Sequence, residues 1–71
     1  MGERIEAELV ADVREIVVRA GEAVRAGDTV VVLESMRLAI PVLAGSCGTV
    51  TQVEVAPGDV VQQGDVLATI A

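Results

Sequence analysis

Apolar and polar residues alternate over short stretches, and the same arrangement occurs twice along the chain. In both places an apolar stretch leads to Gly followed by an acid, then to a second Gly-acid pair and another apolar stretch. Shifting the sequence by 37 residues aligns 11–34 with 48–71 and gives six identities in 24 positions. The sequence therefore predicts two copies of one strand-turn-strand unit, each too small to bury its apolar face alone.

The apolar spacing within each copy predicts an interrupted strand. The first strand is predicted at 13–18 and its counterpart at 50–55. In the first copy the apolar residues Val13, Ile16 and Val18 are separated by three positions and then by two. Side chains of a regular strand alternate with a period of two, so a break at the same place in both copies predicts a β-bulge.

The Gly-acid pairs predict tight turns. Gly adopts a positive φ without steric cost, and an acidic side chain beside it can accept a hydrogen bond from nearby backbone. The acids recur at equivalent positions in both copies: Glu22, Asp28, Asp59 and Asp65. A general acid and base pair has no reason to occur twice, so we interpret these carboxylates as turn residues.

Composition favours strands over helices. Val, Ile and Thr contribute 15, 4 and 4 of the 71 residues, and no Phe, Trp or Tyr is present, so the core is expected to be aliphatic. Such β-branched residues suit pleated strands, and only Ile5 to Val10 is ambiguous. We predict one all-β domain over residues 1–71, a flattened barrel or sandwich in which the two copies pair about a pseudo-twofold axis.

The segment between the copies is predicted to form a hairpin. Residues 35–47 are expected to have no counterpart in a second copy. The apolar stretch 30–42 is too long for one typical strand, so the chain is expected to reverse within 34–38. A pseudo-twofold axis would place this hairpin opposite the two chain termini.

The predicted hairpin tip, Ser35-Met36-Arg37, lacks the Asn-Gly or Asp-Gly that favours a tight hairpin. Met36 is either a partly buried hairpin residue or an exposed residue kept for recognition. Glu34 and Ser35 are interpreted as turn and surface residues rather than catalytic ones. Alternation then resumes, with one face predicted to carry Leu38, Ile40 and Val42.

Charge and cysteine content disfavour several classes of protein. Five basic residues against 11 acidic ones give a net charge of −6, which opposes binding to nucleic acid or to an anionic membrane. With no His and only Cys47, the chain has neither an internal disulfide nor a Cys/His metal site, and we interpret Cys47 as a passive thiol in a turn. No apolar run approaches the roughly 20 residues of a membrane span, and no secretory signal is visible. We expect a cytoplasmic location.

The tip lies within a longer motif. Residues 34–38 read Glu-Ser-Met-Arg-Leu, preceded by Gly-Asp-x-Val-Val-Val-Leu and followed by Ile-Pro-Val and later Gly-x-Val. This pattern, which covers essentially the whole chain, resembles the biotinyl domain of biotin carboxyl carrier proteins, above all the short free-standing ones. In that family a Met-Lys-Met tripeptide occupies the hairpin tip. The related lipoyl domains carry Asp-Lys-Ala there, so Met36 indicates the biotin branch.

The resemblance implies a non-catalytic carrier with two four-stranded antiparallel sheets related by a quasi-dyad. In the family, biotin on the tip Lys is carboxylated at one active site and delivers the carboxyl group to an acyl-CoA at another, as in fatty acid biosynthesis. The implied cofactor is therefore biotin, and the implied partners are a biotin protein ligase and the biotin carboxylase and carboxyltransferase subunits. Arg37 stands at the acceptor position, and its neighbours in the implied site are Ser35, Met36 and Leu38.

Arg37 and Leu38 depart from the family pattern, because they replace the acceptor Lys and the second Met, and the chain contains no Lys. Biotin attachment needs a neutral amine as nucleophile, whereas a guanidinium stays protonated, so we predict that this chain is not biotinylated. Arg37 is an engineered replacement, a natural loss of the acceptor, or an ordinary Arg on an unrelated barrel. The alternatives to an acceptor-less carrier are an unmodified interaction module that docks on a carboxylase or ligase, and a lipoyl-type relative.

Overall fold

Residues 2–71, the part of the chain that this computed structural model describes, form eight β-strands and no helix. The strands are β1 (Glu3–Glu6), β2 (Ala11–Ile16), β3 (Ala23–Val24), β4 (Thr29–Ser35), β5 (Leu38–Leu43), β6 (Gly48–Val53), β7 (Val60–Val61) and β8 (Val66–Ile70). They form two four-stranded antiparallel sheets, in the orders β1-β8-β6-β3 and β5-β4-β2-β7. The predicted all-β class is confirmed. Among these residues no helix is available to cross a membrane.

A quasi-twofold axis relates the two sheets, as predicted. A shift of 37 residues converts the strand order of one sheet into that of the other, since β1, β2, β3 and β4 correspond to β5, β6, β7 and β8. Reciprocal hydrogen bonds cross between the halves. The amide of Gly21 donates to the carbonyl of Val50 at 2.6 Å, and the amide of Gly58 donates to the carbonyl of Val13 at 2.8 Å. Each half therefore completes the sheet of the other.

The repeat is longer than the sequence identities indicate. The expectation that 35–47 lack a counterpart is wrong for the residues of β5, which correspond to those of β1. The amide of Ala44 donates to the carbonyl of Asp28, and the amide of Ala7 makes the equivalent bond to Asp65. Both strands lie at sheet edges, where half of the side chains face solvent and are free to diverge. Only the alanine pair remains identical over this stretch.

The core between the sheets is entirely aliphatic. No polar or charged residue among those described is buried. Branched side chains from both halves interdigitate there, so close apolar packing is the main source of stability. The largest fully buried side chains are Leu33, Leu67, Ile70, Val30, Val31 and Val50.

The predicted bulges are present. The register between β2 and β4 shifts between Val13 and Glu15, and the register between β6 and β8 shifts at the equivalent place. The two strands nevertheless begin and end two residues earlier than the predicted 13–18 and 50–55. The apolar pattern extends beyond each strand because Val18, and its counterpart in the other half, turn inward from the segment that follows the strand.

All four Gly-acid pairs form the same kind of turn. Each Gly has a φ of 94° or 95°, and the amide of the acid donates to the carbonyl three residues earlier, which is the pattern of a type II turn. Each carboxylate in return accepts a hydrogen bond of 2.8–3.0 Å from the amide of the first turn residue. The interpretation of these acids as turn residues is confirmed for Glu22, Asp28, Asp59 and Asp65.

Removing one of these carboxylates should lower stability measurably. We expect Asp65→Ala to reduce the free energy of unfolding by about 1 kcal/mol, because the amide of Gln62 loses its acceptor. Urea unfolding followed by circular dichroism measures the effect. The matched control is Gln63→Ala in the same turn, which should change stability by less than half as much. Equal effects of the two substitutions would show that the carboxylate does not brace the turn.

The hairpin and the described residues nearest the termini occupy opposite ends of the domain, as predicted. The domain measures 32 × 17 × 17 Å. The pairing of Leu33 with Ile40 below the β4–β5 turn corresponds to the pairing of Glu3 with Ile70 beside the termini. The turn therefore lies at the end of the domain opposite Glu3 and Ile70.

Candidate functional site

The tip is a two-residue turn between β4 and β5. Ser35 pairs with Leu38, so only Met36 and Arg37 connect the strands. Met36 has a φ of 52° and Arg37 a φ of 66°. Positive φ at both central residues is the signature of a type I′ turn, whose twist matches that of the flanking strands. The hairpin thus adopts the geometry favoured by Asn-Gly with two residues that are poorly suited to it.

Relief of this backbone strain should stabilise the domain. Left-handed conformations cost ordinary L-residues energy that Asn and Gly largely avoid. We expect Met36→Asn combined with Arg37→Gly to raise the free energy of unfolding by about 1 kcal/mol. Arg37→Gly alone should give part of the gain. An unchanged or lower urea midpoint in the double variant would show that the turn stores no strain.

The four residues predicted for the site lie together on this hairpin. Met36 is 91% exposed, Leu38 is 67% exposed, Arg37 is exposed and Ser35 is half-buried. The exposure of Met36 excludes its interpretation as a partly buried hairpin residue. Leu38 faces the same side as Ile40, but it lies beyond the end of the core.

Arg37 brings a positive charge to the end of an acidic domain. The ion pairs of the described residues join Arg4 to Glu6 at 3.8 Å and Arg14 to Glu34 at 4.0 Å, and neither involves Arg37. A guanidinium offers several hydrogen-bond donors in a planar fork, but it has no nucleophilic lone pair. The tip therefore offers hydrogen-bond donors to an acceptor group and presents a guanidinium, not an amine, at residue 37.

The sequence pattern did not predict the two exposed valines that lie beside the tip. Val10 and Val60 are 63% and 66% exposed and lie against the tip. Neither follows from strand alternation, because Val10 precedes β2 and Val60 begins a two-residue strand. The internal repeat could have revealed them, since their counterparts are the smaller residues Cys47 and Ala23.

Other candidate groups have structural explanations. Cys47 is an exposed free thiol in the loop before β6, and its interpretation as a passive thiol stays a prediction. A larger, open depression of about 700 Å³ shares Val60 with the surface beside the tip and is lined partly by Asp59 and Asp65. Both carboxylates already accept backbone hydrogen bonds within their turns.

Comparison with known proteins places the chain in a family of biotin-requiring proteins. A sequence model described as a biotin-requiring enzyme and covering biotin and lipoyl domains matches residues 1–70. The "Biotinylated protein TB7.3 homolog" of Mycobacterium leprae is 51% identical over 71 residues, which is 100% of both chains. The "Biotin-dependent acyl-coenzyme A carboxylase alpha3 subunit" of the same organism is 39% identical over 69 residues, 97% of this chain and 12% of the subunit.

Solved structures give the same result at the level of the fold. The Kluyveromyces lactis urea carboxylase contains a region that superimposes with a TM-score of 0.94 and 31% identity, covering 100% of this chain and 6% of the carboxylase. The lipoyl domain of the Azotobacter vinelandii 2-oxoglutarate dehydrogenase complex superimposes with a TM-score of 0.76 at 23% identity, covering 94% of this chain and 95% of the domain. The second likeness supports the fold alone.

These relationships restrict the explanations of Arg37. An ordinary Arg on an unrelated barrel is excluded, because both the sequence and the fold match the carriers. Related domains serve as non-catalytic parts of biotin-dependent carboxylases. The chain belongs to the biotin and lipoyl attachment family and is a biotin carboxyl carrier-like domain.

Proposed function

We propose that this chain is the carrier domain of a biotin-dependent carboxylase of the acyl-CoA type, in a form that lacks its biotin acceptor. The observation that supports this proposal is the position of Met36-Arg37 in the exposed two-residue turn, where the family motif carries its acceptor Lys. The 39% identity to an acyl-coenzyme A carboxylase subunit favours that substrate class. Its partners would be the biotin carboxylase and carboxyltransferase subunits and a biotin protein ligase.

The residues of the tip do not fit biotin as a covalent group. The chain has no Lys, and the side chain at the acceptor position is a guanidinium. Acylation requires a neutral nitrogen nucleophile, which a guanidinium does not supply at physiological pH. We therefore assign no carboxyl-transfer step to this chain. What it retains is a rigid aliphatic barrel and a projecting tip that an enzyme can contact.

Treatment with a biotin protein ligase tests the absence of modification. The chain should be incubated with a ligase from the organism of a biotinylated relative, together with ATP and biotin, and weighed by intact-protein mass spectrometry. We expect the mass to remain unchanged while the relative itself is modified in the same reaction. A gain of one biotinyl group, located at Arg37 by peptide mapping, would contradict the proposal.

A second candidate function is an unmodified interaction module. The exposure of Met36 favours it, because a large apolar side chain that is 91% accessible contributes little to folding and is available to a partner. Such a module would dock on a carboxylase or on the ligase without ever carrying biotin. The two functions predict different results when an acceptor amine is restored at residue 37.

A further inference from the structure

The two sheets formed by residues 2–71 have four edge strands, β1, β3, β5 and β7, whose outer backbone groups are open to another strand. β3 and β7 have two residues each, and edges this short give little support to a further strand. Three of the four residues of β1 are charged, which also disfavours pairing. β5 has six residues, and all of them are uncharged. Its free edge therefore needs a different protection.

The free edge of β5 is apolar as well as uncharged. Leu38 and Leu43, at its two ends, are 67% and 49% exposed, and Pro41 between them is also exposed. A long apolar edge of this kind can pair with the same strand of a second molecule. The internal repeat shows that the fold does not require it, because Arg4 and Glu6 of β1 stand at the positions equivalent to residues 41 and 43.

The strand register places the nitrogen of Pro41 on the free side of β5. Ser35 and Leu38 flank the two-residue turn and form the first hydrogen-bonded pair, and such pairs alternate along an antiparallel ladder. Leu33 and Ile40 are therefore the next hydrogen-bonded pair, and the backbone groups of residue 41 point away from β4. Because Pro has no amide hydrogen, the middle of this edge presents a carbonyl without a neighbouring donor.

We propose that Pro41 prevents a second copy of this chain from pairing along β5. Two copies would pair antiparallel about a twofold axis, so each residue of the edge would be used twice. With the axis at residue 41, both hydrogen bonds of the central pair are missing. With the axis at residue 40 or 42, residue 41 opposes residue 39 or 43 of the other copy, and one bond is missing at each of two places. Every such register through the middle of β5 lacks two donors and leaves two carbonyls without partners.

Self-association along β5 would affect more than the strand itself. β5 begins at Leu38, directly after the turn formed by Met36 and Arg37. A second copy paired along β5 would lie beside that turn and restrict access to it. The inference goes beyond the proposed carrier function and does not depend on it, because it concerns only the pairing of the domain with itself.

Restoring the missing amide tests the proposal. We expect Pro41→Thr to dimerise with a dissociation constant at least about tenfold below that of the unaltered chain, because each dimer regains two hydrogen bonds. Sedimentation equilibrium from about 10 μM to 1 mM measures both constants, and the unaltered chain should remain monomeric over this range. Added salt should strengthen the dimer of the variant, since it screens the repulsion between two copies that each carry a net charge of −6.

A matched control separates the amide from the side chain. Ala39→Thr adds the same side chain to another exposed residue of β5 but leaves Pro41 in place, so it should remain monomeric. Pro41→Val is a second variant that restores the amide with an uncharged, β-branched residue, and it should dimerise as Pro41→Thr does. Circular dichroism verifies that each variant is folded.

Hydrogen exchange locates the interface. At a concentration where Pro41→Thr is dimeric, the amides of residues 39 and 41 should exchange at least about fivefold more slowly than in the dilute monomer, and those of β1 should not change. The inference is wrong if both folded variants of Pro41 stay monomeric, if Ala39→Thr dimerises equally, or if the protected amides lie outside β5. Loss of folding in both variants would also contradict it, because Pro41 would then be needed for the fold and not for the edge.

Discussion

A single substitution, Arg37→Lys, should convert a chain that we predict to accept no biotin into one that is fully biotinylated. The barrel already places residue 37 in a two-residue turn at its end, next to the exposed Met36. A Lys there would supply the amine, a small fraction of which is neutral and able to attack the acyl adenylate. Intact mass after treatment with ligase, ATP and biotin should rise by one biotinyl group on nearly every molecule.

The matched control places the only Lys of the chain at a different exposed turn. Arg25→Lys retains the charge and the backbone hydrogen bond from residue 25 to Asp28, which measures 2.8 Å. It should remain unmodified, because the proposed carrier function requires recognition of the tip and not of an accessible amine as such. Equal modification of the two variants would mean that labelling is unspecific and that the tip has no special role.

The second large effect concerns the aliphatic core. We expect Leu67→Ala to lower the free energy of unfolding by about 3–4 kcal/mol, because it removes three buried carbons and leaves a cavity between the sheets. Small domains have total stabilities near the lower end of about 5–15 kcal/mol, so most of the margin disappears. The chain has no aromatic residue, so circular dichroism rather than intrinsic fluorescence must follow its unfolding in urea.

Leu38→Ala is the matched control for the core. It removes the same atoms from a side chain that is 67% exposed at the tip, and it should cost less than about 1 kcal/mol. If the two leucine variants lost equal stability, the aliphatic interior would not be the main source of stability. The Arg37→Lys variant should still be biotinylated when Leu67→Ala is added, as long as the domain remains folded.

The fold was predictable because the same Gly-acid turn residues occur at the same spacing in both halves of the sequence. Gly at the third position of each turn, followed by a carboxylate, fixes four turns whose spacing is the same in both halves. The two-residue alternation of apolar side chains is broken after Val13 and after its counterpart Val50. This break predicts a bulge in each strand, and the strand register confirms both bulges. The edge strands β1 and β5 were not recognised as equivalent, because identity is retained there only at the inward-facing pair Ala7 and Ala44.

The tip was only partly predictable. A reversal within 34–38 followed from the excessive length of the apolar stretch, and the structure places a turn there. The positive φ values of Met36 and Arg37 did not follow, since neither residue favours the left-handed region and the required twist is imposed by the two long strands. The two exposed valines beside the tip were also not predicted, because Val10 and Val60 are far apart in sequence and meet only when β7 pairs with β2.

Carboxylation of the biotinylated Arg37→Lys variant tests the carrier account most directly. Purified biotin carboxylase, ATP and labelled bicarbonate should transfer label to this variant far faster than to free biotin at the same concentration, and a carboxyltransferase should then pass the label to an acyl-CoA. The unaltered chain should acquire none. A variant that is biotinylated but carboxylated no faster than free biotin would contradict the carrier account and favour an interaction module.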